Sequence, residues 1–416
     1  MIEKLIAFSA RNRAVVLLIT AALCVWAVWC VTQVPLDAIP DLSDTQVIVY
    51  SRWDRPPKIL EDQVTYPIVS ALLGAPKVKD IRAFTDYGYS YVYVIFEDGT
   101  DPYWARSRVN EFLAKATAGL PAGVKTELGP DATGVGWVYE YALVDTNGKH
   151  HLADLRSFQD WKLRYALQSV KGVAEVASLG GFVKSYQIIP DPDALAALKL
   201  SAGDITRAVQ AASREVGARL LESAGRELMV TVKGTVRGKS DLEDTVVARR
   251  ENGPIHVRDV ARVVLTPDLR RGVADLDGQG ETAGGVVIMR QGENALQVIE
   301  AVKNQLAQVA LPEGVKIVPV YDRSELIHRA VATLRNKLIE EMIVVSLVVL
   351  IFLLHVPSAV VPILTLPIGA LLAFIPMKYL GVSSNIMSLG GIAIAIGAMV
   401  DASIVVVEKA IRGIDN

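Results

Sequence analysis

Residues 14–32 read AVVLLITAALCVWAVWCVT, nineteen residues without a charged side chain. A helix of this length crosses the roughly 30 Å hydrocarbon core of a bilayer. Basic side chains precede the stretch and acidic side chains follow it, namely Lys4, Arg11, Arg13, Asp37, Asp41 and Asp44. The positive-inside rule therefore predicts a cytoplasmic N-terminus. The apolar run is longer than that of a usual signal peptide and no A-x-A cleavage site follows, which favours an uncleaved anchor.

A second apolar block, residues 338–408, predicts three further spans. The spans are Leu338–Leu354, Ala359–Met377 and Ile386 to about Val407, separated by a tight turn at 355–358 and a short external loop at 378–385. Lys409 and Arg412 then lie in the cytoplasm, as the first span requires. Four spans leave both termini inside and residues 34–337 outside the membrane.

Composition agrees with membrane spans joined to a large aqueous region. The chain has 416 residues, of which 51% are hydrophobic, above the usual share in soluble domains, while 21% are charged. The formal net charge of −2 gives no reason to expect a nucleic-acid partner. Cys24 and Cys30 fall on different sides of one helix, so no disulfide is expected between them.

The region between the apolar blocks alternates strand and helix patterns, and one unit occurs twice. In the first unit, strand 89–96 precedes a helix that Asp101-Pro102 opens. In the second, strand 285–289 precedes a helix over 293–308. Each unit ends in the pattern LPxGVK, at 120–125 and at 311–316. The repeated order predicts a duplicated α+β subdomain.

A stretch of different pattern, 183–271, is predicted to be an inserted domain, with a helix at 203–213 and strands at 228–232 and 255–257. The predicted division is 1–33 for the cytoplasmic N-terminus and first span, 34–134 for the first extramembrane subdomain, 135–182 with 272–331 for the second, 183–271 for the insert, and 332–416 for the last three spans.

The residue most indicative of function is Asp401, deep in the last predicted span. A carboxylate near the middle of a bilayer costs on the order of 2.5–3.5 kcal/mol, so such acids are rare and usually functional. Burial raises the pKa of a carboxyl and a nearby cation lowers it, and a group balanced between the two can relay protons. The alternative is an acid that reaches the interface or pairs two helices. Glu408, two turns further on, is a second relay candidate or an interfacial acid.

Sulfur and nitrogen ligands give weaker signals. Met387 and Met399 carry soft thioethers suited to Cu(I) or Ag(I), although methionine is also an ordinary filler of apolar helices. His150-His151 follows an Asn147-Gly148 hairpin signal and is expected to be solvated surface. Small residues at 390, 391, 393, 397 and 398 favour close packing of the last span against another helix. With no Walker A motif, ATP is not the evident energy source.

Long motifs carry a resemblance across essentially the whole chain. They include PLDAIPDLSD at 35–44, QVTYP at 63–67, the run from Tyr91 to Tyr141, and NIMSLGGIAIAIGAMVDA at 385–402. The chain resembles the copper/silver type of the heavy-metal efflux branch of the resistance–nodulation–division (RND) permeases. The resemblance implies an α-helical membrane protein with an α+β periplasmic region, built from duplicated ferredoxin-like porter subdomains and an inserted docking domain.

The same resemblance implies a homotrimeric cation/proton antiporter of the bacterial inner membrane, not an enzyme. It would work with a periplasmic adaptor and an outer-membrane channel, carrying Cu⁺ or Ag⁺ and coupling protons without a resident cofactor. Asp401 matches the family's relay acid and Glu408 the acid that follows it. Met387 and Met399 match methionines of the metal relay, whereas Leu269 and Val406 stand where two others are expected.

Two alternatives stay open beside the monovalent exporter. An RND exporter of divalent cations would carry a further aspartate at the position of Ala395, so the sequence disfavours it. A non-transporting, membrane-anchored periplasmic binding or assembly subunit is the other. The chain is expected to be the N-terminal half of the permease, with the C-terminal half and its eight further spans as a missing partner.

Overall fold

The computed structural model describes residues 8–9, 11–213, 220–223, 226–229, 235–251, 253–270, 272–353 and 356–414. The chain forms two compact units. The first comprises Met1–Ala142, Lys162–Ser178 and Gly285–Asn416, and the second Leu143–Trp161 and Leu179–Gly284. These limits cut across the domains predicted from the sequence, whose boundaries stay a prediction.

The first unit begins with the predicted apolar helix, which the structure confirms as α1, Arg13–Gln33. Four strands follow: β1 Gln46–Arg52, β2 Val78–Asp86, β3 Tyr89–Phe96 and β4 Lys125–Leu128. They form an antiparallel sheet in the order β2-β3-β1-β4. The helices of this part are α2 Pro57–Leu60, a π-helix Glu61–Thr65, α3 Tyr66–Leu72 and α4 Pro102–Thr117.

One face of this sheet packs against its helices because apolar side chains alternate along the strands. Val47 and Val49 of β1 and Val92 and Val94 of β3 are buried in one cluster with side chains of α2 to α4. The start of α4 confirms the predicted cap, since Asp101 Oδ1 accepts from the Trp104 N–H at 2.7 Å. Pro102 occupies the first turn, where its missing N–H has no cost.

The next part of the chain repeats this plan as far as its second strand. It comprises β5 Trp137–Asp145, α5 Leu152–Phe158, a π-helix Gln159–Leu163, α6 Arg164–Gln168 and β6 Val173–Gly180. Asn147-Gly148 lies in the turn between β5 and α5, so the predicted hairpin there is wrong. Asp145 accepts the N–H groups that follow it, which leads the backbone out of the strand and into a helix.

A long excursion then leaves the sheet. Its strands are β7 Lys184–Pro190, β8 Leu220–Ser223, β9 Arg226–Met229, β10 Val246–Arg250, β11 Gly253–His256 and β12 Ala261–Pro267. Its helices are α7 Pro192–Ala197, α8 Ala202–Ala212, α9 Lys239–Glu243 and α10 Val257–Val260. The helix predicted at 203–213 is confirmed. Val257 begins α10 rather than ending a strand, and residues 230–232 of the other predicted strand lie outside the described residues.

The excursion closes at a narrow point of the second unit. Gly180 and Gly181 adopt φ of +63° and +64°, and the Gly181 N–H donates to Thr282 O at 3.1 Å. Arg156 Nη1 donates to Gly180 O at 2.6 Å, and Thr282 Oγ1 donates to Leu143 O at 2.9 Å. The two ends of the excursion are thus hydrogen-bonded to each other.

After the excursion the chain completes the second sheet with β13 Ala283–Met289, α11 Ala295–Gln308 and β14 Val315–Asp322. The strand and helix predicted at 285–289 and 293–308 are confirmed within these bounds. The sheet order is β14-β5-β13-β6. In both sheets the second strand therefore neighbours the third, the third the first, and the first the fourth. This is the arrangement of a split βαβ fold.

The rest of the first unit is helical: α12 Arg323–Leu353, α13 Val356–Leu372, α14 Phe374–Tyr379 and α15 Ile386–Ile414. Helix α12 begins fifteen residues before the predicted span. Residues 356–358 are helical, so the predicted turn at 355–358 is wrong there, while 354–355 lie outside the described residues. Among the described residues, two helices are long and apolar enough to cross a membrane, Arg13–Gln33 and Ile386–Val407. The expectation of four spans is therefore not confirmed.

Candidate functional site

Helix α15 carries all four predicted site residues, and the structure describes the side chains of three of them, Met387, Met399 and Asp401. Hydrogen bonds fix the start of this helix. Asn385 is 4% exposed, and its Oδ1 accepts from the N–H groups of Met387 at 2.9 Å and Ser388 at 3.0 Å. The Asn385 N–H in turn donates to Ser388 Oγ at 2.9 Å. These bonds satisfy donors that every helix N-terminus leaves free.

The helix has one covered and one open face. Leu389, Ile392 and Ile396 are buried in a cluster that includes Leu366 of α13. Residues at the complementary helical spacing are exposed, namely Gly391, Ile394, Ala398, Asp401 and Val405. No described atom lies within 4 Å of a Cβ built at the glycines of this surface, 390, 391 and 397. The small-residue surface predicted for this span is thus not covered by the described part of the chain.

Asp401 and Met387 share the open face. Met387 is 64% exposed, and the fourteen residues between them correspond to about 21 Å along the axis and nearly four whole turns. Asp401 is exposed as well. The carboxylate and the upper thioether therefore lie in one line along a surface open to another helix.

Met399 lies elsewhere on the helix and points to α13. Its Sδ and Cε come within 2.8 Å and 2.9 Å of a Cβ built on Gly369, so the thioether fills the space that this glycine leaves. Met399 is about 18 Å from Met387 along the axis. The structure does not bring the two predicted metal ligands together, and one ion cannot contact both sulfurs.

The remaining sequence candidates are scattered. Glu408 belongs to α15, but its side chain lies outside the described part of the structure. Leu269, in the second unit, is 74% exposed, and Val406 of α15 is 67% exposed. Among the described residues, no group of three or more His, Cys, Asp or Glu side chains could hold a metal ion. Cys24 and Cys30 are both free thiols.

The paired histidines lie in the turn between β5 and α5, where their backbone N–H groups donate hydrogen bonds. The His150 N–H donates to Asp145 Oδ2 at 2.7 Å, and the His151 N–H donates to Asp154 Oδ2 at 3.1 Å. The N–H of His150, followed by that of Asn147, lowers the pKa of the Asp145 carboxyl. The backbone donors of this segment organise the turn, which agrees with the surface interpretation.

A buried ion pair lies near the first residues of α15 and is not predicted by the sequence. Arg323, the first residue of α12, is 3% exposed, and its Nη2 lies 2.8 Å from Asp37 Oδ1. Nothing in the local sequence links these residues, which are 286 positions apart. Asp37 also lines a cleft of 580 Å³, together with Lys378, whose Nζ lies 3.1 Å from the centre of the Trp29 ring.

Comparison with known proteins decides the family. The model of the AcrB/AcrD/AcrF family matches residues 5–416. The chain belongs to this family. The AcrB/AcrD/AcrF family consists of RND permeases, so the resemblance inferred from the motifs is confirmed.

Within the AcrB/AcrD/AcrF family, metal-resistance proteins are among the most similar relatives. The chain is 53% identical to the cation efflux system protein CusA of Escherichia coli (strain K12), over all of this chain and 40% of the relative. It is 51% identical to the putative cation efflux system protein SilA of Salmonella typhimurium, with the same coverage. Identity to the cobalt-zinc-cadmium resistance protein CzcA of Cupriavidus metallidurans is 35%, over 99% of this chain and 39% of the relative.

A solved structure shares the fold. The crystal structure of a heavy metal efflux pump (crystal form II) superposes with a TM-score of 0.87 at 32% identity, covering 98% of this chain and 41% of the pump. The chain thus spans about two fifths of the length of the relatives it matches.

Proposed function

We propose that this chain is the N-terminal half of a proton-driven RND permease of the bacterial inner membrane that exports the monovalent cations Cu⁺ and Ag⁺. One observation carries the proposal: Asp401 lies on the open face of a 22-residue apolar helix that is long enough to cross a membrane. A carboxylate in such a helix is costly in a bilayer and is retained where it moves or binds a cation.

The open face explains how Asp401 could work. The small residues of that face allow another helix to approach closely, and a basic side chain from that helix could pair with the carboxylate. In the proposed pump, the missing C-terminal half supplies that helix. Protonation of Asp401 would release the basic partner, and Glu408, about 10 Å nearer the cytoplasm, would receive or deliver the proton.

The two methionines would belong to two successive cation-binding sites rather than to one site. Met387 and Met399 lie at different heights and on different faces of α15, so each would hand a soft cation to ligands from another helix. The higher identity to CusA and SilA than to CzcA, and the alanine at 395, favour monovalent over divalent cargo. Leu269 and Val406 cannot act as thioether ligands, so the proposed metal relay has two fewer methionine ligands than the resemblance implies.

Topology and partners follow from the same proposal. Helices α1 and α15 would be membrane spans, with two more formed by the apolar half of α12 and by α13 with α14. Both four-stranded sheets would then lie in the periplasm as porter subdomains, with the excursion as the docking domain. The working assembly would be a homotrimer with an adaptor protein and an outer-membrane channel.

Metal tolerance tests the proposal. The chain is expressed in a host lacking its own metal pumps, alone and with the C-terminal half of a relative, and growth is measured in silver, copper, zinc and cobalt. We expect rescue in silver and copper by the two halves together, loss of rescue with Asp401→Asn, and retention with the neighbouring control Ser403→Ala. Rescue in zinc or cobalt alone would replace the proposal with a divalent exporter.

With membrane insertion verified, two further outcomes would refute it. Failure of the two halves in every metal would favour a non-transporting membrane-anchored binding or assembly subunit. Rescue that survives Asp401→Asn would remove this carboxylate from the proton path.

A further inference from the structure

We propose that the buried Asp37–Arg323 pair is the joint through which helix α15 and the second four-stranded sheet move together. The inference rests on the proposed function, because it assigns the pair a positioning role in transport. Both residues belong to the first unit, and Arg323 is 3% and Asp37 17% exposed.

Arg323 lies where three strands of the second sheet come together. Arg323 directly follows Asp322, the last residue of β14, and opens α12 without an intervening loop. Its Nη1 donates to the carbonyl of Val135, two residues before β5. The next residue, Gly136, accepts the N–H of Met289 at the end of β13 at 2.7 Å. The guanidinium therefore sits where the ends of β5, β13 and β14 converge.

The aspartate ties the same point to the start of α15. The Asp37 N–H donates to Ser384 O at 3.0 Å, and the Ser384 N–H donates to Pro35 O at 2.9 Å. The Ile386 N–H then donates to Ala38 O at 3.3 Å. These bonds pair residues 384–386 with residues 35–38 in the manner of a short strand. Asn385, within this segment, caps α15.

The chemistry of the pair suits a rigid joint. The guanidinium presents its nitrogens in a fixed fork. Nη1 donates to Val135 O, while Nη2 contacts Asp37 as an ion pair without a hydrogen bond, an arrangement that a lysine ammonium does not reproduce. Loss of either charge leaves the other buried and unpaired. The contacts of Asp37 and those of Arg323 are therefore expected to form together and break together. A shift of α15 would be passed to the sheet through these contacts.

Two measurements test the joint, with Asp37→Asn, Arg323→Lys and their double variant. The control is Asp80→Asn, which breaks the exposed Asp80–Arg82 pair of the first sheet. The first is amide hydrogen exchange of the purified chain at residues 37 and 384–386. We expect exchange at least about tenfold faster in each variant and no change in the control. Asp37→Asn leaves the buried guanidinium without its counter-charge, and Arg323→Lys removes the fork that reaches both Asp37 and Val135 O.

The second measurement is the initial rate of silver uptake into inverted membrane vesicles that contain the chain and the C-terminal half of a relative. We expect a lower maximal rate at an unchanged half-saturating silver concentration, since the joint touches no metal. The double variant should be no slower than the slower single variant, because both substitutions open one joint.

Each adverse outcome overturns a distinct statement. Unchanged exchange in both single variants would refute the joint itself. Faster exchange with unaltered uptake, a raised half-saturating concentration, or multiplied losses in the double variant would refute its role in coupling. If the unsubstituted halves transport nothing, the proposed function fails and the coupling with it, while the exchange data still decide whether the pair links α15 to the sheet.

Discussion

The point where the excursion closes offers a quantitative test of the fold. Gly180 has φ of +63°, and a Cβ built on it lies 2.1 Å from Thr282 O and 2.7 Å from the Cβ of Ala274. The first of these is a backbone atom, which cannot rotate away as the end of a long side chain can. Gly180→Ala should therefore force the two ends of the excursion apart.

The expected magnitude has two parts. Placing alanine in the left-handed region costs about 1–2 kcal/mol, of which about 0.4–1 kcal/mol is offset by the lower entropy of the unfolded chain. The overlap with Thr282 adds about 1–3 kcal/mol, the usual range for overpacking. We expect Gly180→Ala to lower the free energy of unfolding by about 3 kcal/mol in total.

A matched control separates the two parts. Gly148, in the same unit, has φ of +66°, and no described atom lies within 4 Å of its built Cβ. Gly148→Ala should therefore carry only the backbone part, about 1 kcal/mol. The difference of about 2 kcal/mol corresponds to about 30-fold in an equilibrium constant.

Amide hydrogen exchange at Gly181 reports this difference directly, because its N–H donates to Thr282 O. We expect the Gly181 amide to exchange about 30-fold faster in Gly180→Ala than in Gly148→Ala. Equal rates in the two variants would show that the ends of the excursion do not approach as closely as described, and the steric reasoning would be wrong.

Three further predictions concern other parts of the first unit. The hydrogen bond from the Tyr50 hydroxyl to Glu127 raises the pKa of Tyr50 to about 12 from 10.0. The stabilisation of the folded state by this hydrogen bond is therefore fully present below pH 10 and is lost as pH rises through 12. Subtracting the ultraviolet titration of Tyr50→Phe should show the late-ionising phenol, and its absence would contradict the bond. Asp101→Ala removes the cap of the helix that follows and should lower unfolding free energy by about 1 kcal/mol, measured by denaturant unfolding; no change would argue against a capping role. Gly369→Ala should displace the Met399 thioether by about 1 Å, from 2.8 Å to ordinary contact, and reduce silver tolerance of the co-expressed halves; unchanged tolerance would argue against a metal role for this sulfur.

Much of the secondary structure was predictable because its signals are local. Strand β3, Tyr89–Phe96, has the bounds that the sequence pattern predicts. Asp101 accepts the N–H three residues on, a contact that depends only on the first turn of the helix. Prediction failed where a local signal had two outcomes. Asn147-Gly148 supplies a tight turn, but whether a strand or a helix follows depends on what Leu155 and its neighbours pack against.

The candidate site was predictable only in part. An acid in an apolar helix is visible in sequence, so Asp401 could be found from composition and position. The sequence did not show that Asp401 lies on the open face of α15, because the position of that face depends on which residues of α15 pack against α13. The separation of Met387 from Met399 follows from their twelve-residue spacing, whereas the contact of Met399 with Gly369 required the tertiary structure.

The sequence alone predicts the apolar helices, the two repeated strand–helix units and the family, since these depend on neighbours a few residues apart or on long ordered motifs. Three features are seen only in the folded chain: the common strand order of the two sheets, the closure of the excursion at Gly180 and Thr282, and the pairing of Asp37 with Arg323. The closure joins residues about a hundred positions apart, and the ion pair joins residues 286 positions apart. Such contacts form because folding brings them into one buried volume, where an unpaired polar group or charge would be costly.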